Sequence, residues 1–335
     1  MIHFCTLFDS FYLVRGVTMY KSLEETGCDF HLFIFAFDDR SYNILSKLKL
    51  SKATIISLKE FENDELLAVK SGRTKAEYCW TCTSSTILYC IEKFNLPSCT
   101  YLDADLFFYN DPKILLDEMG DQSVLLTEHR YPPKFNRAAS SGIYCVQFIT
   151  FVNDENGLKA LHWWRDACIE WCFNRYEDGK FGDQKYLDDW TTRFKGIHVL
   201  KNLGGGVAAW NVEQYRFVER KSNHILFYDK STDSFFETVF FHFHHVRFFK
   251  NDVVDLGWRQ PASIIVDQLY VPYFIRLSET EAGIKKVDPE FNIPLENFSV
   301  INNSGIKGVI KYLIKMVLRY SVYNKRKLIR HHQAK

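Results

Sequence analysis

The chain has 335 residues, 47% hydrophobic, 16% aromatic and 25% charged, enough for one large α/β domain or two smaller ones and not the composition of a disordered chain. Its formal net charge of +1 hides an asymmetry: nine of the 42 Lys and Arg lie between Ile306 and Lys335, where there is no Asp or Glu. An acidic body with a basic tail argues against general nucleic-acid binding and for a locally cationic attachment point. No run of 18 uncharged apolar residues occurs, so no spanning helix is expected. Met1-Ile2-His3-Phe4 enters a strand-like run directly, so no secretory leader is expected. Nine cysteines without framework spacing fit reduced thiols in a cytoplasmic protein. Cys79-Trp-Thr-Cys82 would need a second pair to bind zinc, which Cys168 and Cys172 could supply. Buried free thiols are the reading adopted.

In chain order, Ile2–Phe8 reads as a strand and SFYLVRGVTMYKSLEE as a helix up to Gly27. His31–Phe37 is a second strand, ended by Asp38-Asp39, which can cap the next helix. Ala53–Leu58 and the helical EFENDELLAVK repeat the pattern, residues 76–94 form a longer helix, and Cys99–Tyr109 returns to strand. Short apolar runs alternating with amphipathic helices predict parallel βαβ units covered on both faces. Ser123–Leu126 and Gly142–Phe151 read as further strands, with a Tyr-Pro-Pro loop between them. Residues 154–173 form an amphipathic helix built on Leu158, Leu161, Trp164, Cys168, Trp171 and Cys172. The stretch EDGKFGDQKYLDDW turns into a short helix capped by Asp183, KNLGGGVAAWN is a Gly-rich loop, and Phe235–Phe249 is rich in aromatics and histidines. From Ile306, Lys307, Lys311, Lys315 and Arg319 recur every four residues opposite Val309, Ile310, Leu313, Met316, Val317 and Tyr320. That spacing predicts an amphipathic helix, followed by the cluster Lys325, Arg326, Lys327 and Arg330. It reads either as a surface helix packed on the domain or as an interfacial helix on an anionic membrane.

The stretch TYLDADLFFYNDP carries the chemistry. Asp103 and Asp105 are two apart at the end of an apolar run, and on a strand they would share one face. Two carboxylates that close ask for a cation or a shared proton. A Mg²⁺ or Mn²⁺ site that also holds a diphosphate uses one or two such groups and leaves positions open for phosphate oxygens. In a parallel sheet the ligand crevice lies beyond the carboxyl ends of the strands, where Asp9, Asp38, Asp39, Asp103 and Asp105 fall. Gly204-Gly205-Gly206 is followed by neither Lys-Ser/Thr nor a helix start, which excludes a phosphate-binding P-loop and leaves close backbone approach to a ligand. Trp163, Trp164 and Trp171 read as helix core.

YLDADLFFYNDP resembles the D-x-D strand of GT-A glycosyltransferases, especially the family 8-like enzymes of bacterial surface-polysaccharide clusters. TLFDSFYLVRGVTMYKSL, SGRTKAEYCWT, SSGIYCVQF, KFGDQKYLDDW, GGGVAAWN and FFHFHH resemble further pieces of that family in the same order, over roughly residues 1–250. The resemblance implies a GT-A (Rossmann-like) α/β fold with a mostly parallel central sheet flanked by helices. It implies a hexosyltransferase that uses Mn²⁺ or Mg²⁺ and a nucleotide-sugar donor, UDP-linked by preference. Asp103 would contact ribose or metal, with Ala104 beside it, and Asp105 would ligate the metal. His242 would be the third ligand, or His244 in its place; His245 stands where the family has Gly. Asp183-Gln184 would lie beside the anomeric carbon, a role compatible with Asp183 as helix cap. Thr6, Leu7 and Asp9 would line the nucleoside pocket, with Tyr12 stacking there or belonging to the core. Arg73 or Lys75 would balance the diphosphate, Gly205 would allow close backbone approach, and Trp210-Asn211 match a family W-N pair that meets the sugar.

The expected organisation is a catalytic domain over 1–260, with a nucleotide-binding half (1–110) and an acceptor and donor-sugar half (111–260), then an extension (261–304) and a basic membrane-associating tail (305–335). The expected partners are a nucleotide-sugar, a glycan or lipid-linked oligosaccharide acceptor and an anionic membrane surface, with no nucleic acid. The expected location is cytoplasmic, peripheral on the inner face of the membrane. Retention of anomeric configuration follows from the resemblance, with inversion still open. A nucleotide-sugar-binding protein without turnover and a metal-dependent phosphohydrolase are the rival readings.

Overall fold

The computed structural model describes residues 1–257, 259–296, 310, 314, 315, 317, 318 and 320–334. Strands β1 (Ile2–Phe8), β2 (Phe30–Ala36), β3 (Ala53–Ser57) and β4 (Ser98–Leu102) lie in the order β3-β2-β1-β4, all parallel. The sheet continues past β4 with Tyr144–Val152, Val124–Glu128 and Ile197–Val199. The first two of these pair antiparallel and the last parallel. The sheet of seven strands is therefore mostly parallel, as the alternating apolar runs and helices predict.

Both faces of the sheet are buried, which explains why its strands are continuous apolar runs rather than alternating ones. Phe4, Phe8, Leu32 and Ile34 point into one core with helix Leu13–Glu25. Cys5, Leu7, Phe33 and Phe35 point into the other, with helices Lys75–Phe94 and Glu155–Glu170. Asp38 caps its helix as expected, accepting from Ser41 N–H at 2.7 Å. EFENDELLAVK does not form one helix: it splits into Leu58–Phe61 and Asp64–Lys70, because Asn63 caps the second piece through Leu66 N–H.

Two further departures matter for the site. Cys99–Tyr109 is not one strand; it breaks after Leu102 and resumes at Leu106–Phe108, with Asp103–Asp105 in a turn between them. Leu106–Phe108 leaves the main sheet and joins a small one, pairing antiparallel with Phe240–His242, which pairs parallel with Val207–Ala208. The helix expected to be capped by Asp183 is a 3₁₀ turn, Lys185–Asp189; its cap position is Gln184, and no side chain caps it.

After residue 260, helix Val271–Lys285 returns to pack on Leu13–Glu25, where Thr18 and Thr280 hydroxyls meet at 2.9 Å. Val322–Asn324 adds a strand to Val253–Asp255, and Lys325–Gln333 is helical. Of the tail residues named from sequence, Lys307, Val309, Lys311, Leu313, Met316 and Arg319 lie outside the described residues. Lys315 does not face solvent with a cationic sector. It is 4% exposed and its ammonium is bound to the Asp255 carboxylate and the Gly257 carbonyl. Ile310, Ile314, Val317 and Leu318 are exposed instead. Lys315 turns inward because Asp255, itself buried, offers a carboxylate whose charge a cation offsets.

Candidate active site

The pairing register builds the site. His242 is opposite Leu106 in the small sheet, so the histidine stands next to the Asp103–Asp105 turn. The turn is held at both ends: Asp103 N–H donates to Gln147 C=O at 3.0 Å, and Phe243 N–H donates to Asp105 C=O at 3.0 Å. The sequence argument for a shared strand face therefore fails in its premise, since the two acids sit on a turn. They converge all the same, with His242 Nε2 lying 2.9 Å from Asp105 Oδ1 and 3.7 Å from Asp103 Oδ2. Donor atoms of Asp105, His242 and His244 all lie within 4.8 Å of one another. Both histidines considered from sequence thus stand beside Asp105.

Gln147 was not anticipated. Its Oε1 lies 2.7 Å from His242 Nδ1, so Nδ1–H donates to it and Nε2 is turned toward the carboxylates. This is the partner arrangement of a ligating histidine, whose second nitrogen is fixed by a hydrogen bond. Its signal in the sequence was a single amide in the apolar strand Tyr144–Val152. Arg15 was also missed. It is 5% exposed, donates to the carbonyls of Val246 (2.8 Å) and Phe11 (3.3 Å), and lies 4.6 Å over the Tyr12 ring. It ties the turn after β1 to the loop after His242.

Charge is crowded here. Burial, relieved in part by His242 and worsened by Asp105, pushes the Asp103 carboxyl up to about 6. Burial would raise Asp105 too, but the adjacent His242 holds it well below the usual carboxylate range. Burial works against a charged His242, and Asp105 overrides it and raises the imidazole well above its ordinary value. Burial keeps His244 well below its own. Asp183, 6% exposed, is pushed up to about 7 by burial and then by Asp103. Three carboxylates within electrostatic reach, with two imidazoles facing one of them, suit a divalent cation that takes oxygen and nitrogen donors.

The other sequence candidates divide. Ala104 is buried between the two acids. Thr6 and Leu7 are buried at the end of β1, and Thr6 Oγ1 has no hydrogen-bond partner among the described residues. Asp9 accepts from Phe11 and Tyr12 N–H at 3.0 and 3.3 Å, and Tyr12 is exposed. Trp210 lies beside the two histidines, its ring 5.1 Å from His242 and 5.5 Å from His244. Gln184 donates its amide to Ser141 C=O, and Trp164 Nε1–H donates to Asp183 C=O at 2.8 Å.

Three candidates have structural employment. Asn211 is fully buried and its amide holds Gly206 C=O, His129 C=O and Ala208 N–H. Gly205 is small for packing rather than for a ligand, because a Cβ there would stand 2.5 Å from Leu200 Cδ2. Arg73 donates to Ile169 C=O at 3.2 Å and lies 3.9 Å over Phe173, whereas Lys75 is near enough to Asp9 to offset a little of the rise that burial and Asp38 impose on that carboxyl. His245, in place of the expected glycine, has φ of 65°. Cys79, Cys82, Cys168 and Cys172 form no metal-competent group among the described residues. A second such group does exist, made of Cys5 on β1, Cys90 and Cys99 on β4, all buried.

No family model matches the chain. Similar solved structures include the galactosyltransferase LgtC in complex with donor and acceptor sugar analogs, at 12% identity, 72% of this chain, 86% of that one and TM-score 0.47. Mouse xyloside xylosyltransferase 1 follows at 11% identity, 73% of this chain, 98% of that one and TM-score 0.44. Two Bacillus subtilis (strain 168) proteins match over nearly their whole length. Uncharacterized protein YfnD is 30% identical over 295 residues, 86% of this chain and 93% of its own. Uncharacterized protein YfnF is 32% identical over 303 residues, 86% of this chain and 96% of its own. The chain belongs to the family of YfnD and YfnF.

Proposed function

We propose that the protein is a GT-A glycosyltransferase that moves a sugar from a nucleotide-diphosphate donor, preferably UDP-linked, to a glycan or lipid-linked glycan in cell-surface polysaccharide or lipopolysaccharide synthesis. The observation that carries this reading is the convergence of Asp103, Asp105, His242 and His244 at the carboxyl end of β4, with Gln147 fixing the His242 ring. Asp105, His242 and His244 would hold Mn²⁺ or Mg²⁺, with Asp103 next to it toward ribose. A cation there would offset the charge that develops on the leaving diphosphate. Thr6, Leu7 and Asp9 border the nucleoside side, and Asp183 and Gln184 the sugar side. Trp210 walls the crevice beside the ligands. Retention of configuration is the outcome that the family 8 resemblance implies.

A panel of nucleotide-sugars with Mn²⁺, with and without glycan acceptors, tests the reading. Acceptor-dependent release of nucleoside diphosphate, lost in Asp105→Ala, is expected. Acceptor-independent release of inorganic phosphate would mark a phosphohydrolase. Failure to bind both metal and nucleotide-sugar, with Asp105→Ala silent, would sink the assignment.

The basic tail fits a peripheral position on an anionic membrane surface, on the cytoplasmic side. Among the described residues no helix is long and apolar enough to cross a membrane. Ile310, Ile314, Val317 and Leu318 are 51%, 52%, 81% and 71% exposed, and Lys327 and Arg330 are exposed on the helix that follows. Apolar side chains turned outward beside cations are what an interfacial segment presents. Co-sedimentation with phosphatidylglycerol vesicles should fall in a Val317→Asn, Leu318→Asn, Lys327→Gln, Arg330→Gln variant; unchanged binding would remove this part.

A further inference from the structure

The segment between Val124–Glu128 and Tyr144–Val152 was expected only as a Tyr-Pro-Pro loop. It is fastened at both ends to residues near the Asp103–His242 group. At its start, the His129 ring stacks on Tyr131 (4.6 Å, 10° between planes) and meets Trp210 edge-on at 5.3 Å, and Trp210 is the ring next to His242. At its end, Ser141 C=O accepts from the Gln184 amide, Ala138 C=O accepts from Lys185 Nζ at 3.0 Å, and Ile143 N–H donates to Asp188 at 2.7 Å. The loop is therefore fastened to the histidine side and to the Asp183-Gln184 side of the same crevice.

What the loop presents is cationic and aromatic. Phe135 is 47% exposed, and the Arg259 guanidinium lies 4.4 Å over its ring while also donating to Trp210 C=O. Lys134 Nζ lies 5.5 Å from the same ring. Arg137 is exposed and close enough to Arg259 to disfavour the charge on that guanidinium. Among the described residues no carboxylate is within ion-pair distance of Lys134, Arg137 or Arg259. Glu213, close enough to Arg259 to favour its charge, also accepts from Ala262 N–H at 2.9 Å, and Asp188 accepts from Lys185 and Ile143. Lys134 and Arg259 at an exposed ring, with Arg137 close to Arg259, gather three cations in a protein whose body is acidic, and an anion placed among them would be favoured. Arginines over aromatic planes suit planar carboxylate or phosphate oxygens carried on a sugar, whose apolar face can stack on the ring.

We propose that Lys134, Arg137 and Arg259, with Phe135 and Tyr131, form a binding site for a glycan that carries an anionic group, a carboxylate or a phosphate. This rests on the glycosyltransferase reading in making that glycan the acceptor, so the site would select acidic over neutral acceptors. The anion would sit at the crevice mouth, beside rather than on the Asp105–His242 group.

The test is equilibrium binding to the full chain, which requires no knowledge of the donor. Three probes are compared by calorimetry: trigalacturonate for the carboxylate, a glycerol-phosphate trimer for the phosphate, and neutral maltotriose. At least one anionic probe should bind about tenfold or more tighter than maltotriose, with the advantage shrinking as NaCl rises. Which one binds tells the two sources apart. Arg137→Glu should abolish that preference; Arg137 is exposed, so the fold is not at stake, and an unchanged thermal midpoint checks this. Arg137→Gln with Lys134→Gln should weaken the anionic probe about tenfold, while Asp105→Asn should leave its binding in place. Equal binding of maltotriose, or anionic binding indifferent to Arg137→Glu, overturns the proposal. If anionic probes bind but no sugar transfer is found with any donor, the glycosyltransferase reading fails and the binding site stands. If transfer runs equally well to neutral acceptors, this inference alone fails.

Discussion

Cys5, Cys90 and Cys99 in the core, and Asp105, His242 and His244 at the sheet edge, each bring three ligand-type atoms within 4.8 Å of one another. By distance alone the two groups are equals. The thiols are wholly buried among apolar neighbours, where burial pushes Cys90 and Cys99 well above the ordinary thiol range while, against that burial, hydrogen bonds from those two and from the Thr86 hydroxyl, 3.8 Å away, hold Cys5 below it. The edge group has an unbalanced charge, a neighbouring Asp103 whose side chain is 29% exposed, and the Gln147 amide, which aims its histidine. Proximity of ligand atoms is thus a weak criterion. Unrelieved charge, an open side and an oriented ring separate a site from a packed core.

The comparison can be broken in order of effect. Asp105→Ala should lower metal-dependent turnover on the order of 100-fold or more, while Cys99→Ala leaves it unchanged; equal losses would end the distinction. Gln147→Leu should weaken Mn²⁺ binding by about 10–100-fold without removing a ligand, read by metal titration of the intact fold. Mn²⁺ at a hundredfold excess over its Kd should stabilise the wild-type chain by about 2.7 kcal/mol, and this gain should vanish in His242→Ala but survive in Cys5→Ser. Asp183→Asn should raise the thermal midpoint of the metal-free protein at pH 8 and not at pH 4. The Asp183 carboxyl is pushed up to about 7, so the folded state prefers it protonated, and stability is lost as pH rises from the unfolded value through that point. The smallest effect is Cys90→Ala, expected to cost on the order of 1 kcal/mol of stability with kinetics unchanged.

What could be read from the sequence follows this same division. β1 to β4 and their helices were legible because strands buried on both faces are written as unbroken apolar runs. The Asp103–Asp105 pair was legible as chemistry but not as geometry. The turn that holds it is pinned by Gln147 and Phe243, and nothing local to YLDADLFF reports those partners. Gly205 looked like a ligand contact because a glycine made necessary by Leu115 and Leu200 cannot be told apart in sequence from one made necessary by a substrate. The four-residue spacing of basic residues in the tail reads as the cationic sector of an amphipathic helix. The buried Asp255, sixty positions earlier, draws Lys315 inward instead.

His245 bears on what sequences this position can carry. Its backbone is in the left-handed region, which costs a residue with a Cβ roughly 1–2 kcal/mol, and its ring lies 4.0 Å from that of His244. Glycine, asparagine and aspartate can be exchanged there at little cost, and β-branched residues cannot. Drift at residue 245 is therefore confined to a short alphabet, and each letter of it resets how tightly the neighbouring His244 ring is held.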